Sequence, residues 1–198
     1  MKYEILKDEF IELDGRKLYR IKALKDFRDV RKGTVGGYIE SERNLSHEGN
    51  ARVSGNAQVY GDAWVYGDAW VYGDARVYGD AWVSGNARVS GNAQVFGDAW
   101  VYGDARVYGD AQVYGSARVF GNNAVVWFSN IGTENGTLTV YCGKNGLIAT
   151  CGCFTGSVEE FLAKSAEVHD EKTKREYELL IEVACSRLEE AQGNIGSE

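Results

Sequence analysis

Small apolar and larger side chains alternate between residues 51 and 122 with a repeat of six residues. Ala and Val hold the first and third places of each hexad, a variable residue stands between them, and Gly fills the fifth place. Alternation with a period of two predicts a strand with one buried face. Gly followed by Asp or Asn predicts a corner, because these residues tolerate a positive φ. Glycine in every sixth place is incompatible with a helix.

Twelve such hexads follow one another from Ala51 to Asn122 without an insertion. Three hexads can close one triangular coil, and successive coils then stack as parallel strands about 4.8 Å apart. The degenerate hexads from Gly33 to Asn50 are expected to keep the register and to bring the total to about five coils. In this arrangement Ala and Val face inward, and the residue between them faces outward.

This hexapeptide pattern is the signature of the left-handed parallel β-helix, and the chain resembles that fold over twelve consecutive hexads. We therefore predict a mainly β protein whose β-helix spans residues 33–122. Residues 1–32 are predicted to form an N-terminal β-hairpin cap with its turn at Asp14 and Gly15. Such a cap covers the core and the unpaired edges that an open solenoid end exposes.

A different pattern begins at residue 123 and predicts a small C-terminal domain over 123–198 in the order β-β-β-α-α. The three predicted strands are NAVVWFSNI, GTLTVYC and LIATCGCF, with a GKNG turn before the third. Ser157 and Glu160 form a capping box that begins a helix near 158–168. A second helix over 171–191 carries one apolar stripe of Tyr177, Leu180, Ile181, Ala184 and Leu188.

The outward residues fall into three vertical rows when they are sorted by position modulo eighteen. The first wall carries Arg52, Trp70, Arg88 and Arg106, the second Gln58, Arg76, Gln94 and Gln112, and the third Trp64, Trp82, Trp100 and Arg118. Tyr66 and Tyr102 hold the next outward slot beside two of the third-wall tryptophans. The third wall is therefore predicted to carry a ladder of three indoles with an arginine at one end.

This indole ladder has two interpretations. A large exposed aromatic stripe rarely stays bare on a soluble protein, so it would pack against another protomer or against the C-terminal helices. Alternatively, it is a ligand platform, where the indoles bind a planar base or sugar and Arg118 or the first-wall arginines hold a phosphate. Both apply if the ligand lies in a cleft between protomers. We expect a homotrimer, because three-sided proteins that resemble this chain usually associate around a threefold axis.

Charge and composition limit the classes of partner. The net charge is −7, and basic and acidic residues number eleven and ten in 1–50, five and seven in 51–122, and six and twelve in 123–198. No basic cluster supports counterion release, so nucleic acid is not expected. Without an apolar run of about 18 residues or a signal peptide, we expect no membrane partner. Four late cysteines and no export signal favour the cytoplasm.

Residues for catalysis or metal binding are few. Enzymes of this fold are acyltransferases that use a histidine base, and here that base would be His47, which the hexad count places in the inward slot of Val. His169 falls in the turn predicted between the two helices. Cys142, Cys151 and Cys153 are predicted on hairpin strands with their thiols on one sheet face, as buried reduced thiols or as zinc ligands. We expect no metal and no cofactor.

Longer segments of the chain show a further resemblance. The quoted segments are IKALKDFRDVRKGTVGGYIESERNLSHEGNARV, the hexads, WFSNIGTENGTLTVY, CGCFTGSVEEF and REYELLIEV. They resemble hexapeptide-repeat proteins of phages and prophages, which are labelled transferases or polymer-forming proteins. The resemblance implies a phage-encoded, non-enzymatic oligomer in the host cytoplasm that captures a small molecule, such as a nucleotide signal, or blocks a host protein to evade host defence. An acyltransferase that uses acetyl-CoA and a purely structural or polymer-forming protein are the alternatives.

Overall fold

The computed structural model describes residues 1–121, 124–143 and 146–192. The boundary predicted between residues 122 and 123 and the centre of the predicted GKNG turn lie outside these residues. An N-terminal hairpin leads into a three-walled parallel solenoid, which is followed by an antiparallel sheet and two helices. None of the helices among the described residues combines the length and the apolar character needed to cross a membrane.

The N-terminal hairpin consists of Tyr3–Leu13 (β1) and Arg16–Ala23 (β2), and Val35–Ile39 (β3) lies beside β2. Its turn has the positive φ angles of a two-residue connection, 50° at Asp14 and 77° at Gly15, as predicted. Strand β3 then runs parallel to the first full coil, so the hairpin extends one wall of the solenoid. A short 3-10 helix, Glu42–Asn44, follows.

Twelve short strands build the walls of the solenoid. They are Arg52–Val53 (β4), Gln58–Val59 (β5), Trp64–Val65 (β6), Trp70–Val71 (β7), Arg76–Val77 (β8), Trp82–Val83 (β9), Arg88–Val89 (β10), Gln94–Val95 (β11), Trp100–Tyr102 (β12), Arg106–Val107 (β13), Gln112–Val113 (β14) and Arg118–Phe120 (β15). Every third strand pairs in parallel with the same register, so Trp64 lies beside Trp82 and Trp82 beside Trp100. The predicted parallel β-helix of about five coils is confirmed.

The solenoid core contains the residues that the hexads predict. The Ala and Val residues of all twelve hexads are at most 2% exposed. Burial of each valine side chain contributes about 1.5–3 kcal/mol to folding. At two of the three corner columns an asparagine amide donates to the aspartate one coil later, as between Asn56 and Asp74 at 3.1 Å and between Asn86 and Asp104 at 3.1 Å.

The first coil departs from the predicted register. Leu45 pairs with Val65, twenty residues ahead, whereas from Arg52 onward the offset is eighteen. The prediction that the hexads over 33–50 keep the register is therefore wrong, and Leu45 rather than His47 occupies the inward slot. A leucine is too large for the narrow alanine slot, and a shift of two residues places Leu45 in the wider valine slot on the same face and moves His47 to the corner.

The C-terminal part contains an antiparallel sheet of four strands where three were predicted. The strands are Val125–Ile131 (β16), Gly136–Gly143 (β17), Gly146–Cys151 (β18) and Phe154–Ser157 (β19). Helices Val158–Val168 (α1) and Glu171–Gln192 (α2) follow. The Ser157 hydroxyl accepts from the Glu160 backbone N–H at 3.1 Å, which confirms the predicted capping box. Along α2, Tyr177 and Leu188 are buried as predicted.

Side chains of this sheet seal the last coil. The Tyr141 hydroxyl donates to the backbone carbonyl of Tyr114 at 2.9 Å, and Thr139 Oγ1 accepts from the Gln112 backbone N–H at 3.1 Å. Thr150 Oγ1 donates to the Gln112 carbonyl at 3.2 Å. These bonds satisfy backbone groups that a sheet edge would otherwise leave unpaired. Tyr141 is fully buried and belongs to the same core as the solenoid valines.

Candidate functional site on the outer walls of the solenoid

The third wall carries the predicted aromatic row. Trp82 and Trp100 stack with their ring centroids 4.9 Å apart and their planes 4° from parallel. Trp64 meets Trp82 edge to face at 5.9 Å and stacks on Tyr66 at 4.2 Å. The Arg118 guanidinium lies over the Trp100 ring at 4.4 Å, so a cation closes one end of the row.

Much of this indole row is accessible to solvent. Trp64 is 37% exposed, Trp100 is 39% exposed, and Phe120 at the end of the wall is 39% exposed. The buried faces of the two C-terminal helices pack on their own sheet, in a cluster separate from the solenoid core. The third wall therefore carries an aromatic stripe that is partly exposed to solvent.

Two of the four first-wall residues are already engaged by the protein itself. Arg52 is only 7% exposed, pairs with Asp29 at 3.2 Å, and lies over the Trp70 ring at 4.2 Å. Burial lowers the pKa of this guanidinium, and Asp29 opposes the shift. The Trp70 indole N–H donates to the Ser54 hydroxyl at 2.8 Å, and its ring stacks on Tyr72 at 4.1 Å. The side chains of Arg52 and Trp70 are therefore engaged in contacts within the protein that stabilise the first wall.

The other two first-wall arginines are exposed and lie side by side. Arg88 and Arg106 are Cα partners on neighbouring parallel strands. No ion pair joins either of them to a carboxylate within the ranges that the structure describes. Both line two adjoining hollows, of about 240 Å³ and about 250 Å³. Two like charges on adjacent rungs repel each other, and a bound anion would relieve that repulsion.

The second wall carries an aromatic ladder that the predicted site lacks. Tyr60, Tyr78, Phe96 and Tyr114 form it, with successive ring centroids 4.9, 4.8 and 4.5 Å apart. Their slot is the one after Val, and sorting that slot by eighteen residues would have revealed the row. Burial raises the pKa of Tyr60 and of Tyr78. The close and nearly parallel rings mark this ladder as a stabilising feature of the wall.

His47 lies at the corner between the 3-10 helix and β4, where it contacts Lys2 and Tyr3 at the start of the chain. Its Nδ1 accepts a hydrogen bond from the Lys2 backbone N–H at 3.2 Å, and its ring stacks on Tyr3 at 4.2 Å. The Nε2 atom is buried without a hydrogen-bond partner among the described residues, and burial lowers the pKa of the imidazole. A general base needs a nitrogen within reach of its substrate, whereas here Nδ1 is bonded to Lys2 and Nε2 is buried.

The cysteines do not all share one face. Cys142 and Cys151 stand opposite Leu147 and Leu138 in the strand register, which places them on one face of the sheet. Cys153 is exposed in the turn before β19, so the prediction that it belongs to the same face is wrong. The Cys151 thiol lies 3.9 Å from the Tyr177 hydroxyl, and burial raises the pKa of the thiol. No group of three potential metal ligands forms within the described part of the chain.

The family comparison concerns the repeat itself. Six overlapping segments match the family model described as "YdcK Beta solenoid repeat", namely residues 57–73, 69–85, 81–97, 87–103, 93–109 and 99–115. They fall on the hexads whose strands pair eighteen residues apart. The chain is a β-solenoid repeat protein. This β-solenoid keeps Ala and Val inside and Gly at the corners and varies the outward slots, so the walls differ in chemistry mainly through their outward residues. No curated protein matches the chain.

Proposed function

We propose that this β-solenoid is a non-enzymatic, homotrimeric binding protein whose third wall is its main contact surface. The observation that carries the proposal is the row of Trp64, Trp82 and Trp100, which lies on one wall and is more than one third exposed at both ends. Tryptophan is among the residues most enriched in protein interfaces and hot spots. Large exposed apolar patches on proteins usually mark interaction sites, so we expect a partner to cover this aromatic stripe.

The proposal includes a role in phage biology. The resemblance to phage and prophage proteins suggests that the oligomer captures a small molecule or blocks a host protein, in the host cytoplasm, and so counters host defence. Acyltransferases of this fold build their acceptor site from loops inserted between hexads. The twelve hexads here follow one another without an insertion, which supports a binding role over acyl transfer. The packed surroundings of His47 support the same choice, since the imidazole is held by Lys2 and Tyr3.

A triple substitution tests this function. Trp64→Ala, Trp82→Ala and Trp100→Ala together are expected to convert a trimer into monomers, measured by light scattering after gel filtration against the wild-type protomer mass of 21.8 kDa. The matched control changes Gln58, Arg76 and Gln94 to Ala, in the same slot on the second wall, and is expected to remain trimeric. Circular dichroism checks that both variants keep the solenoid.

The outcomes separate the two interpretations of the third wall. If the tryptophan variant stays trimeric but loses a partner captured from host lysate by the wild type, the wall is a ligand platform rather than a trimer interface. A wild-type protein that is monomeric and captures nothing through this wall contradicts the proposal. So does a variant that retains both assembly and capture.

A further inference from the structure

The outward slot after Val differs between the walls. On the second wall the four coils from Ala51 onward fill it with an aromatic ring, and Phe96 lies between Tyr78 and Tyr114 with centroid distances of 4.8 and 4.5 Å. On the first wall the same slot alternates between small and large residues, in the order Ser54, Tyr72, Ser90 and Tyr108. Ser90 therefore occupies, between two tyrosines, the place where the second wall holds a phenylalanine.

This alternation leaves a hollow over Ser90, which forms its floor and is itself only 8% exposed. Tyr72 and Tyr108 are two rungs apart, which separates them by about 9.6 Å along the solenoid axis. The hollow here measures about 250 Å³ and is lined by Tyr72, Arg88, Ser90, Arg106 and Tyr108. Trp70 stacks on Tyr72, and Trp127 meets Tyr108 edge to face at 4.3 Å, so both tyrosines are held in place. The space suits one planar ring, by analogy with Phe96.

The same hollow is bordered by positive charge. Arg88 and Arg106 line both it and the adjoining hollow of about 240 Å³, where Arg28 and Arg52 also lie. The two carboxylates of the adjoining hollow have partners, since Asp68 pairs with Arg28 at 3.3 Å and Asp104 accepts from Asn86 at 3.1 Å. Arg88 and Arg106 thus present guanidinium groups beside the ring-sized space, and guanidinium groups bind phosphate strongly.

We propose that the first wall binds a mononucleotide, with its base in the space over Ser90 and its phosphate on Arg88 and Arg106. This inference rests on the proposed binding function and names its ligand class, but it places the ligand on a different wall from the trimer contact. Base stacking on aromatic side chains and the arginine–phosphate contacts contribute separately to the free energy of binding. The two parts of the ligand can therefore be tested apart.

Calorimetric titration with AMP, adenosine and inorganic phosphate tests the site. The wild type is expected to bind AMP more tightly than either fragment. Ser90→Phe should weaken AMP binding at least about tenfold, because the new ring fills the space as Phe96 does on the second wall. The control Ser116→Phe introduces the same side chain at an exposed corner residue outside this hollow and should leave AMP affinity unchanged. Thermal unfolding confirms that both variants fold.

A charge variant completes the test. Arg88→Gln with Arg106→Gln is expected to weaken AMP binding at least about tenfold and to leave adenosine binding unchanged, whereas Arg76→Gln on the second wall changes neither. No AMP binding to the wild type overturns the inference, and so does AMP affinity that Ser90→Phe does not alter. Inorganic phosphate that binds as tightly as AMP also overturns it. Trimer formation is measured independently, so failure of this site leaves the third-wall result standing.

Discussion

Gly85→Ala is expected to destabilise the solenoid much more than Gly115→Ala, although the two glycines have nearly the same backbone conformation. Their φ angles are 64° and 66°, so both substitutions place a side chain in the left-handed region. That conformation costs about 1–2 kcal/mol for a residue with a Cβ. The difference between the variants must therefore come from what the added Cβ meets.

The corner glycines of successive coils lie directly on one another. A Cβ on Gly85 would lie 2.9 Å from the Gly103 backbone nitrogen and 3.0 Å from its oxygen, whereas a Cβ on Gly115 meets nothing within 4 Å. Backbone cannot move aside as a flexible side chain can, so Gly85→Ala should lose about 1–3 kcal/mol more than Gly115→Ala. Urea unfolding followed by circular dichroism measures both. Equal losses of stability would show that the coils do not stack closely at this corner.

Tyr141→Ala is expected to cause the second large loss, because this side chain closes the C-terminal end of the solenoid core. Tyr141 is fully buried, and its hydroxyl bonds the backbone carbonyl of Tyr114 at 2.9 Å. Removal of a buried aromatic side chain costs about 3–5 kcal/mol. Tyr141→Phe keeps the ring and removes only the hydroxyl, which should cost about 1–3 kcal/mol because the Tyr114 carbonyl loses its partner.

The pair of variants separates packing from hydrogen bonding at this end. Chemical unfolding should rank the proteins as wild type, Tyr141→Phe and Tyr141→Ala in order of decreasing midpoint. In Tyr141→Ala, amide hydrogen exchange should be faster in the last coil than in the first coils, because each repeat is stabilised by contacts with its neighbours only. If Tyr141→Ala unfolds at the wild-type midpoint, the C-terminal sheet does not seal the solenoid.

The regular part of the fold could be predicted because the uninterrupted hexads fix its register. Twelve hexads without an insertion fix which residues lie eighteen apart, so the order of Trp64, Trp82 and Trp100 on one wall followed directly. Leu45 departs from this register. Its position in the valine slot depends on the volume of its side chain and on a shift of two residues in the pairing, and a count of hexads contains neither.

The candidate site was predicted only in part. The row assignments of Arg88 and Arg106 followed from the repeat, but the engagement of Arg52 depends on Asp29, which lies in the connection after the N-terminal hairpin. The space over Ser90 arises from the slot after Val, and it becomes visible only when that slot is compared between walls. Contacts between distant segments and empty volume are properties of packing that periodicity does not encode.

Disulfide formation between introduced cysteines tests most directly whether residues eighteen apart are neighbours. Arg76 and Gln94 are Cα partners on adjacent rungs, about 4.8 Å apart, which lies within the span of a disulfide, whereas Gln112 is one rung further. Arg76→Cys with Gln94→Cys is predicted to cross-link on oxidation of the folded protein, as seen by peptide mapping, and Arg76→Cys with Gln112→Cys is not. A link between 76 and 112 with none between 76 and 94 would contradict the stacked walls.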